Sequence, residues 1–223
     1  MAERRARSNG HGAATLTLGE RLRETRAQRG FSLREMARRL DVSPSLVSQI
    51  ETGKIQPSVR TLYAIVSELG VSLDAIFAPH AARDPEPPPV PPVSDGNAAG
   101  AKPAADGGPD RGYVQRGRDR SGIDLETGVR WERLTTRDDG DVEFLFTIYP
   151  PGSESAPADA LVRHNGREFG LVLSGRLGVT VGFEDFVLEP GDSVSFDSTT
   201  PHRLHNDGSE PVNAVWVVVN RRG

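Results

Sequence analysis

Apolar positions in the first third of the chain recur at helical spacing, whereas in the last half they fall in short runs broken by Gly and Pro. Leu33, Met36, Ala37 and Leu40 follow the three-to-four-residue period of one helix face. Ser32 stands just before this set with Glu35 three positions along, a hydroxyl and a carboxylate suited to the free N–H groups of a helix start. Ser43 followed by Pro44 marks a second start, because proline fits the first helical turn and the hydroxyl caps it. Only the short turn Asp41-Val42 separates the two, and helices so joined form a helix-turn-helix. The second helix runs from Pro44 to about Thr52 and ends at Gly53, where a left-handed residue is wanted. After Pro57, Ser58 caps a further predicted helix over 59–69.

The second helix has two faces. Val47 and Ile50, three apart, turn toward the bundle and leave Ser45, Leu46, Ser48 and Gln49 outward. Serine and glutamine exchange hydrogen bonds with base edges, glutamine suits adenine, and Leu46 can meet a thymine methyl. Ser43 and Pro44 lie at the helix start, and the N-terminus that Ser58 caps suits a phosphate. Arg34, Lys54 and Arg60 are candidates for backbone contacts, which position a protein without reading sequence. Charge agrees. Residues 1–60 hold twelve basic and six acidic side chains, so this end carries +6 in a chain of net −4 and the remainder −10. A basic head on an acidic body points to nucleic acid at one end only, and the helix-turn-helix makes double-stranded DNA the expected partner.

This segment resembles the XRE, or phage-repressor, class of helix-turn-helix domains. The matching residues are Leu22-Arg23, Gly30-Phe31-Ser32-Leu33, Ser43 through Gly53 with its Ser48-Gln49-Ile50-Glu51 core, Pro57-Ser58 and Leu69-Gly70-Val71. The resemblance implies a five-helix bundle, dimeric binding to an operator of paired half-sites, and base reading from the places held here by Pro44, Ser45 and Gln49. Pro44 has no donor, so Ser45 and Gln49 carry the expectation.

The chain has no cysteine, which excludes a disulfide frame, a thiolate metal site and a thiol sensor together. No apolar run reaches the ~20 residues of a membrane span, and residues 1–14 lack a signal-peptide core and read as a disordered basic arm. With a DNA-binding head, these features place the protein in the cytoplasm. Residues 80–112 are rich in Pro, Ala, Gly and Asp, with a proline run over 87–92, and read as a flexible linker. Two tethered rather than packed domains are expected, 15–79 and 113–223, with coupling through a dimer rather than a rigid interdomain contact.

In the second half, strands are predicted over 142–149, 168–173, 177–181, 186–188, 194–196, 203–205 and 214–219, with turns at Ser174-Gly175, Pro190-Gly191-Asp192 and Asn206-Asp207-Gly208. Many short strands with such turns indicate a sandwich or barrel, here a small jelly roll able to enclose a cavity. The stretch His164-Asn165-Gly166-Arg167-Glu168 with Gly175 resembles the first cupin motif, and Pro190-Gly191-Asp192, Pro201-His202 and Asn206 resemble the second. The resemblance implies metal-ligand places at 162, 164, 168 and 202; Val162 holds the first, leaving His164, Glu168 and His202. Two histidines and a carboxylate suit a facial triad for a divalent metal, Fe, Mn, Zn or Ni. Loss of the ligand at Val162 favours a metal-free sensor, in which the three side chains hydrogen-bond a small-molecule effector or each other. Tyr149, Phe196 and Trp216 read as core residues that also fit a cavity wall, Arg133 as a solvated cation, and His205 as alternating away from His202.

The expectation is a dimeric DNA-binding transcriptional regulator: a five-helix head, a flexible linker, and a cupin β-barrel that senses a small molecule or a metal. The alternative is a mononuclear non-haem iron enzyme, since the head-plus-cupin layout and incomplete ligand set also resemble an iron-dependent epoxidase of phosphonate antibiotic synthesis.

Overall fold

A computed structural model describes residues 16–77 and 112–220. The predicted arm over 1–14, the linker up to residue 111 with its proline run, and His11 and His80 lie outside the described residues.

The head contains α1 (Leu18–Gln28), α2 (Leu33–Leu40), α3 (Pro44–Glu51) and α4 (Val59–Leu69), then a 3-10 turn at Asp74–Ile76. Four α-helices and this turn stand where five helices were expected. Asp74 and the nearby Gly70 and Ser72 give residues 70–77 poor helix formers, so the last apolar segment closes the bundle in one tight turn. The start signals act as read: the Ser32, Ser43 and Ser58 hydroxyls accept from the backbone N–H of Glu35, Leu46 and Thr61. Glu35 does not reach back to complete a capping box; its carboxylate takes Arg38 at 2.7 Å and Arg39 at 2.8 Å. The reciprocal box forms instead at Thr17 and Glu20. Gly53 has φ +68°, the left-handed stop its position called for. Met36, Val47, Ile50, Leu62, Val66 and Ile76 are buried together. Arg26 fixes the end of α3 by a bidentate pair with Glu51, at 2.6 and 2.8 Å.

Among the described residues, the second domain has nine strands: β1 (Gly122–Asp124), β2 (Arg130–Arg133), β3 (Val142–Tyr149), β4 (Arg167–Ser174), β5 (Leu177–Val181), β6 (Glu184–Leu188), β7 (Ser193–Asp197), β8 (His202–His205) and β9 (Val212–Val219). They form an antiparallel sheet in the order β1-β2-β3-β9-β4-β7 and a smaller one in the order β6-β5-β8. Every predicted strand is present, most of them a residue or two longer. β1 and β2 were not predicted, because a three-residue strand and Arg-Trp-Glu-Arg give alternation too little length to register. The two sheets face each other as an open sandwich rather than a closed barrel. Isolated bridges Glu154–His205 and Val162–His202 carry the loop after β3 along β8.

The domains are packed, not merely tethered. Tyr63 on α4 stacks on His164, ring centroids 4.0 Å apart and 9° from parallel, and its hydroxyl donates to Glu143 at 3.1 Å. Asp74 accepts from the Asp139 backbone N–H at 2.8 Å and lies 3.8 Å from the Arg133 guanidinium. The Ser72 hydroxyl donates to Asp138, and the Glu126 N–H to the Pro57 carbonyl, each at 3.1 Å. Arg133, expected as a solvated cation, is 3 % exposed in this interface. Linker composition reports only how the chain between the domains behaves. Whether their faces match is decided by residues far from it.

Burial holds the Asp74 carboxyl up at about 6 against the opposing pull of the Asp139 N–H and Arg133. Its ionised form is the disfavoured one in the folded chain, so the stability it contributes is full below the usual carboxylate pKa and lost as pH rises through about 6. Denaturant titration should show unfolding free energy falling between pH 4 and pH 8, with on the order of 1–2 kcal/mol of the fall due to this group. Asp74→Asn should reduce that slope; an unchanged slope would place the carboxyl in water.

Candidate functional site

β3, β4 and β9 of the large sheet and β8 of the small one wall a buried cavity. Strand parity sets the lining: Leu145, Thr147 and Tyr149 alternate inward on β3, Glu168 on β4, His202 and Leu204 on β8, and Trp216 on β9. The loop ahead of β4 adds Val162 and His164, with Arg163 between them exposed. Val162, at the first expected ligand place, is a buried apolar wall residue.

The structure brings together the three side chains singled out from the sequence. Glu168 Oε1 lies 3.0 Å from His164 Nε2 and 3.1 Å from His202 Nε2. Their ligand atoms all lie within 4.8 Å of one another, a cluster able to hold a metal ion. Glu168 Oε2 accepts from the Trp216 indole N–H at 2.7 Å, which fixes the carboxylate plane. Each histidine turns Nδ1 to a backbone carbonyl, His164 to Asn165 at 3.2 Å and His202 to Thr200 at 2.9 Å. A carbonyl only accepts, so each Nδ1 carries a proton and each Nε2 presents a lone pair or a second proton to Glu168. Three acceptors converging in a buried space require a positive charge between them, and a proton or a metal ion supplies it. His164 Nε2 and Glu168 Oε1 are both buried without another hydrogen-bond partner.

The donor set therefore fits a divalent cation held by His164, His202 and Glu168, each histidine oriented by a carbonyl as metal-ligating imidazoles usually are. Such an ion would supply fixed positive charge and open coordination positions. Without it, protons serve the same purpose. Burial works against ionisation of Glu168, but hydrogen bonds and charge from His164 and His202 hold its carboxyl well below the usual range. Burial likewise works against His164, and the Glu168 carboxylate raises its proton affinity above the ordinary value.

Tyr149 and Trp216 line this cavity, as Trp131 does; Phe196 packs beside it, 5.0 Å from the His202 ring. His205 points to the other strand face and pairs with Asp207 at 3.1 Å. Sequence reading missed two further contributions. Tyr63 and Val59 of α4 complete the wall from the head, and Glu143, beneath Tyr63, is pushed up to about 7 mainly by burial. Signals for both exist: Tyr63 follows Val59 by four residues on a stripe flanking the bundle face, and Glu143 shares strand parity with Leu145.

In the head, Ser43, Pro44, Ser45, Arg34, Lys54 and Arg60 are exposed, and Leu46, Ser48, Gln49 and Ser58 are half-buried with access to solvent. Val47 and Ile50 are buried, as expected of the inner face of α3.

Fold and site together define a helix-turn-helix head on a cupin body. The helix-turn-helix family profile matches residues 22–76 and the cupin domain profile residues 145–218. The HTH-type transcriptional regulator PuuR of Escherichia coli (strain K12) is 26 % identical over 191 residues, covering 86 % of this chain and 88 % of the relative. An HTH_3 family transcriptional regulator from Vibrio cholerae superposes with a TM-score of 0.59 at 20 % identity, over 92 % of this chain and 96 % of that one, which shows a shared fold. Hydroxypropylphosphonic acid epoxidase from S. wedmorenis, 20 % identical over 90 % of this chain and 96 % of its own, reaches a TM-score of only 0.41 and carries no argument about activity. The chain joins a helix-turn-helix domain of XRE type to a C-terminal cupin domain, the architecture of an HTH-type transcriptional regulator.

Gly170 on β4 keeps Trp216 in place, because a methyl group there would overlap the indole ring. Gly170→Ala should displace the indole from Glu168, shift tryptophan emission, and cost about 1–3 kcal/mol in denaturant unfolding. Unaltered emission and stability would show that the indole is not packed there.

Proposed function

We propose that this chain recognises an operator through α3 and senses a small molecule or metal ion in the cupin cavity. The observation that carries the reading is the convergence of His164, Glu168 and His202 in a buried cavity beneath a head whose reading helix stays accessible. Ser45 and Gln49 read base edges, with Leu46 and Ser48 beside them, while Ser43 and Pro44 place the helix end. Arg34, Lys54, Ser58 and Arg60 contact phosphates. The division we propose is a basic arm over 1–14, a head over 15–79, a connecting segment over 80–112 and a cupin body over 113–223.

The working form is a homodimer on a two-fold operator. Phe169, Leu171 and Leu173 expose apolar side chains along β4 on the outer face of the large sheet, which supports pairing through the cupin bodies. Two linked heads raise each other's effective concentration on paired half-sites. No described helix is long and apolar enough to cross a membrane, and the cytoplasm is the compartment we assign. The iron-enzyme alternative rests on the head-plus-cupin layout and the triad, and makes a separate demand: oxygen consumption with a turned-over substrate. Metal content of protein purified without oxygen or chelator, beside His164→Ala/Glu168→Ala/His202→Ala, decides between ion and organic effector. About one ion per chain, absent from the variant, keeps the metal sensor and the iron enzyme, which oxygen consumption then separates, whereas none bound or taken up ends the enzyme reading and leaves an organic-ligand sensor or a dimerisation module.

Operator sequences selected from random DNA by the full chain test the DNA half of the proposal. Gln49→Ala should cost about 1–3 kcal/mol and relax preference at one position per half-site. A uniform drop in affinity across all sequences would make Gln49 a positioning residue. Lys54→Ala should weaken binding to all DNA and flatten the dependence of log affinity on log salt by about one for each phosphate it neutralises. Recovery of no preferred sequence by the full chain would refute the reading.

A further inference from the structure

The cavity is closed by a side chain from the other domain. With Tyr63 seated, it leaves room for about one water molecule. The triad can accept a metal ion in that space without rearrangement, but an organic molecule cannot enter while all walls stay in place. Most walls are strand residues fixed by ladder hydrogen bonds. Tyr63 belongs to a separate domain, joined here by polar contacts, the ring contacts of Tyr63 with His164 and Trp131, and the Arg133 guanidinium over the Phe77 ring. With Val59, it is the part of the wall that a movement of the head would withdraw.

Its placement is that of a bound ligand. The ring lies flat on His164 and edge-on to Trp131, with centroids 5.7 Å apart in the second contact. Its hydroxyl donates to Glu143, whose other oxygen accepts from Asn220 at 3.3 Å. A flat face and one donor are what this subsite recognises.

We propose that Tyr63 is a resident stand-in for the effector, occupying a subsite that takes a small organic molecule with a planar ring and a hydrogen-bond donor, so that such a ligand binds only as the head withdraws. This composite site rests on the sensor reading for its regulatory meaning, since a ligand that binds only the withdrawn state shifts the chain toward it.

The test uses full-length protein and p-cresol, which has the ring and hydroxyl of tyrosine, beside toluene, which lacks the donor, and cyclohexanol, which lacks the flat ring. Trp131 and Trp216, the two tryptophans of the chain, both line the cavity and report occupancy by their emission. Tyr63→Ala should bind p-cresol at least tenfold more tightly than the wild type and prefer it to both controls. Ser72→Cys/Asp138→Cys introduces the chain's only cysteines at two contacting positions. Oxidation should link them within one chain and weaken p-cresol binding at least tenfold relative to the reduced protein. This pair retains Tyr63 and decides the matter alone if Tyr63→Ala does not fold.

Equal p-cresol affinity in wild type and Tyr63→Ala, or in oxidised and reduced protein, would overturn the proposal. Equal binding of toluene would overturn the donor-bearing ligand class. A disulfide that forms only between chains would assign the wall to a second copy and overturn the arrangement within one chain. Operator affinity, measured on the oxidised and reduced pair, separates the two levels. The binding pattern above with unchanged operator affinity would support the composite site and refute the sensor reading.

Discussion

One carboxylate organises the body of this protein. Glu168 is held from three directions, by the His164 and His202 imidazoles at one oxygen and the Trp216 indole at the other. Those partners come from the loop ahead of β4, from β8 in the small sheet, and from β9 in the large one. A buried charge so costly to desolvate persists only where its partners are fixed, and fixing them sets how the two sheets meet. His164 also carries the stack with Tyr63, so the cluster that shapes the cavity also receives the head.

The head meets the body through two layers. Tyr63 reaches the cavity and Glu143, and at the rim Asp74 and Arg133 bury opposite charges beside each other. Buried ion pairs of this kind add little net stability, which suits a head that, on the proposal above, withdraws when the effector binds. Among the described residues, the polar contacts of the head with the body named above leave Ser45 and Gln49 out, and one of them, at the Pro57 carbonyl, lies just ahead of α4. The docked head thus keeps the outer face of its reading helix accessible.

The local grammar of both domains was legible in the sequence. Ser32, Ser43 and Ser58 cap where expected, and β3 and β5 begin and end at the predicted residues. The triad was legible because two histidines and a glutamate sit at fixed offsets within motif-like stretches. What lay between the domains was not. Tyr63 looks like a bundle residue and Arg133 like a surface cation until their partners are seen, and strand parity turns Glu143 inward without saying what it meets. Tyr63 and Glu143 stand 80 positions apart in the chain, and Arg133 and Asp74 stand 59 apart. Such pairings are long-range events that neither periodicity nor linker composition encodes. Residues 70–77 fell short of a fifth helix for a local reason, a polar, glycine-containing start followed by one short apolar turn.

If the state of the cupin cavity sets the affinity of the head for DNA, a change at Glu168 must be felt at the operator. Glu168→Gln keeps the size of the side chain, removes the charge that aligns both histidines, and touches no residue assigned to DNA. Operator affinity of this variant, measured against the wild type at matched salt and with folding checked by circular dichroism, is the most direct test. The expected change is about 5–150-fold, the range of ordinary allosteric coupling. A folded variant with unchanged affinity would contradict the coupling and leave the head and the cavity as independent devices on one chain.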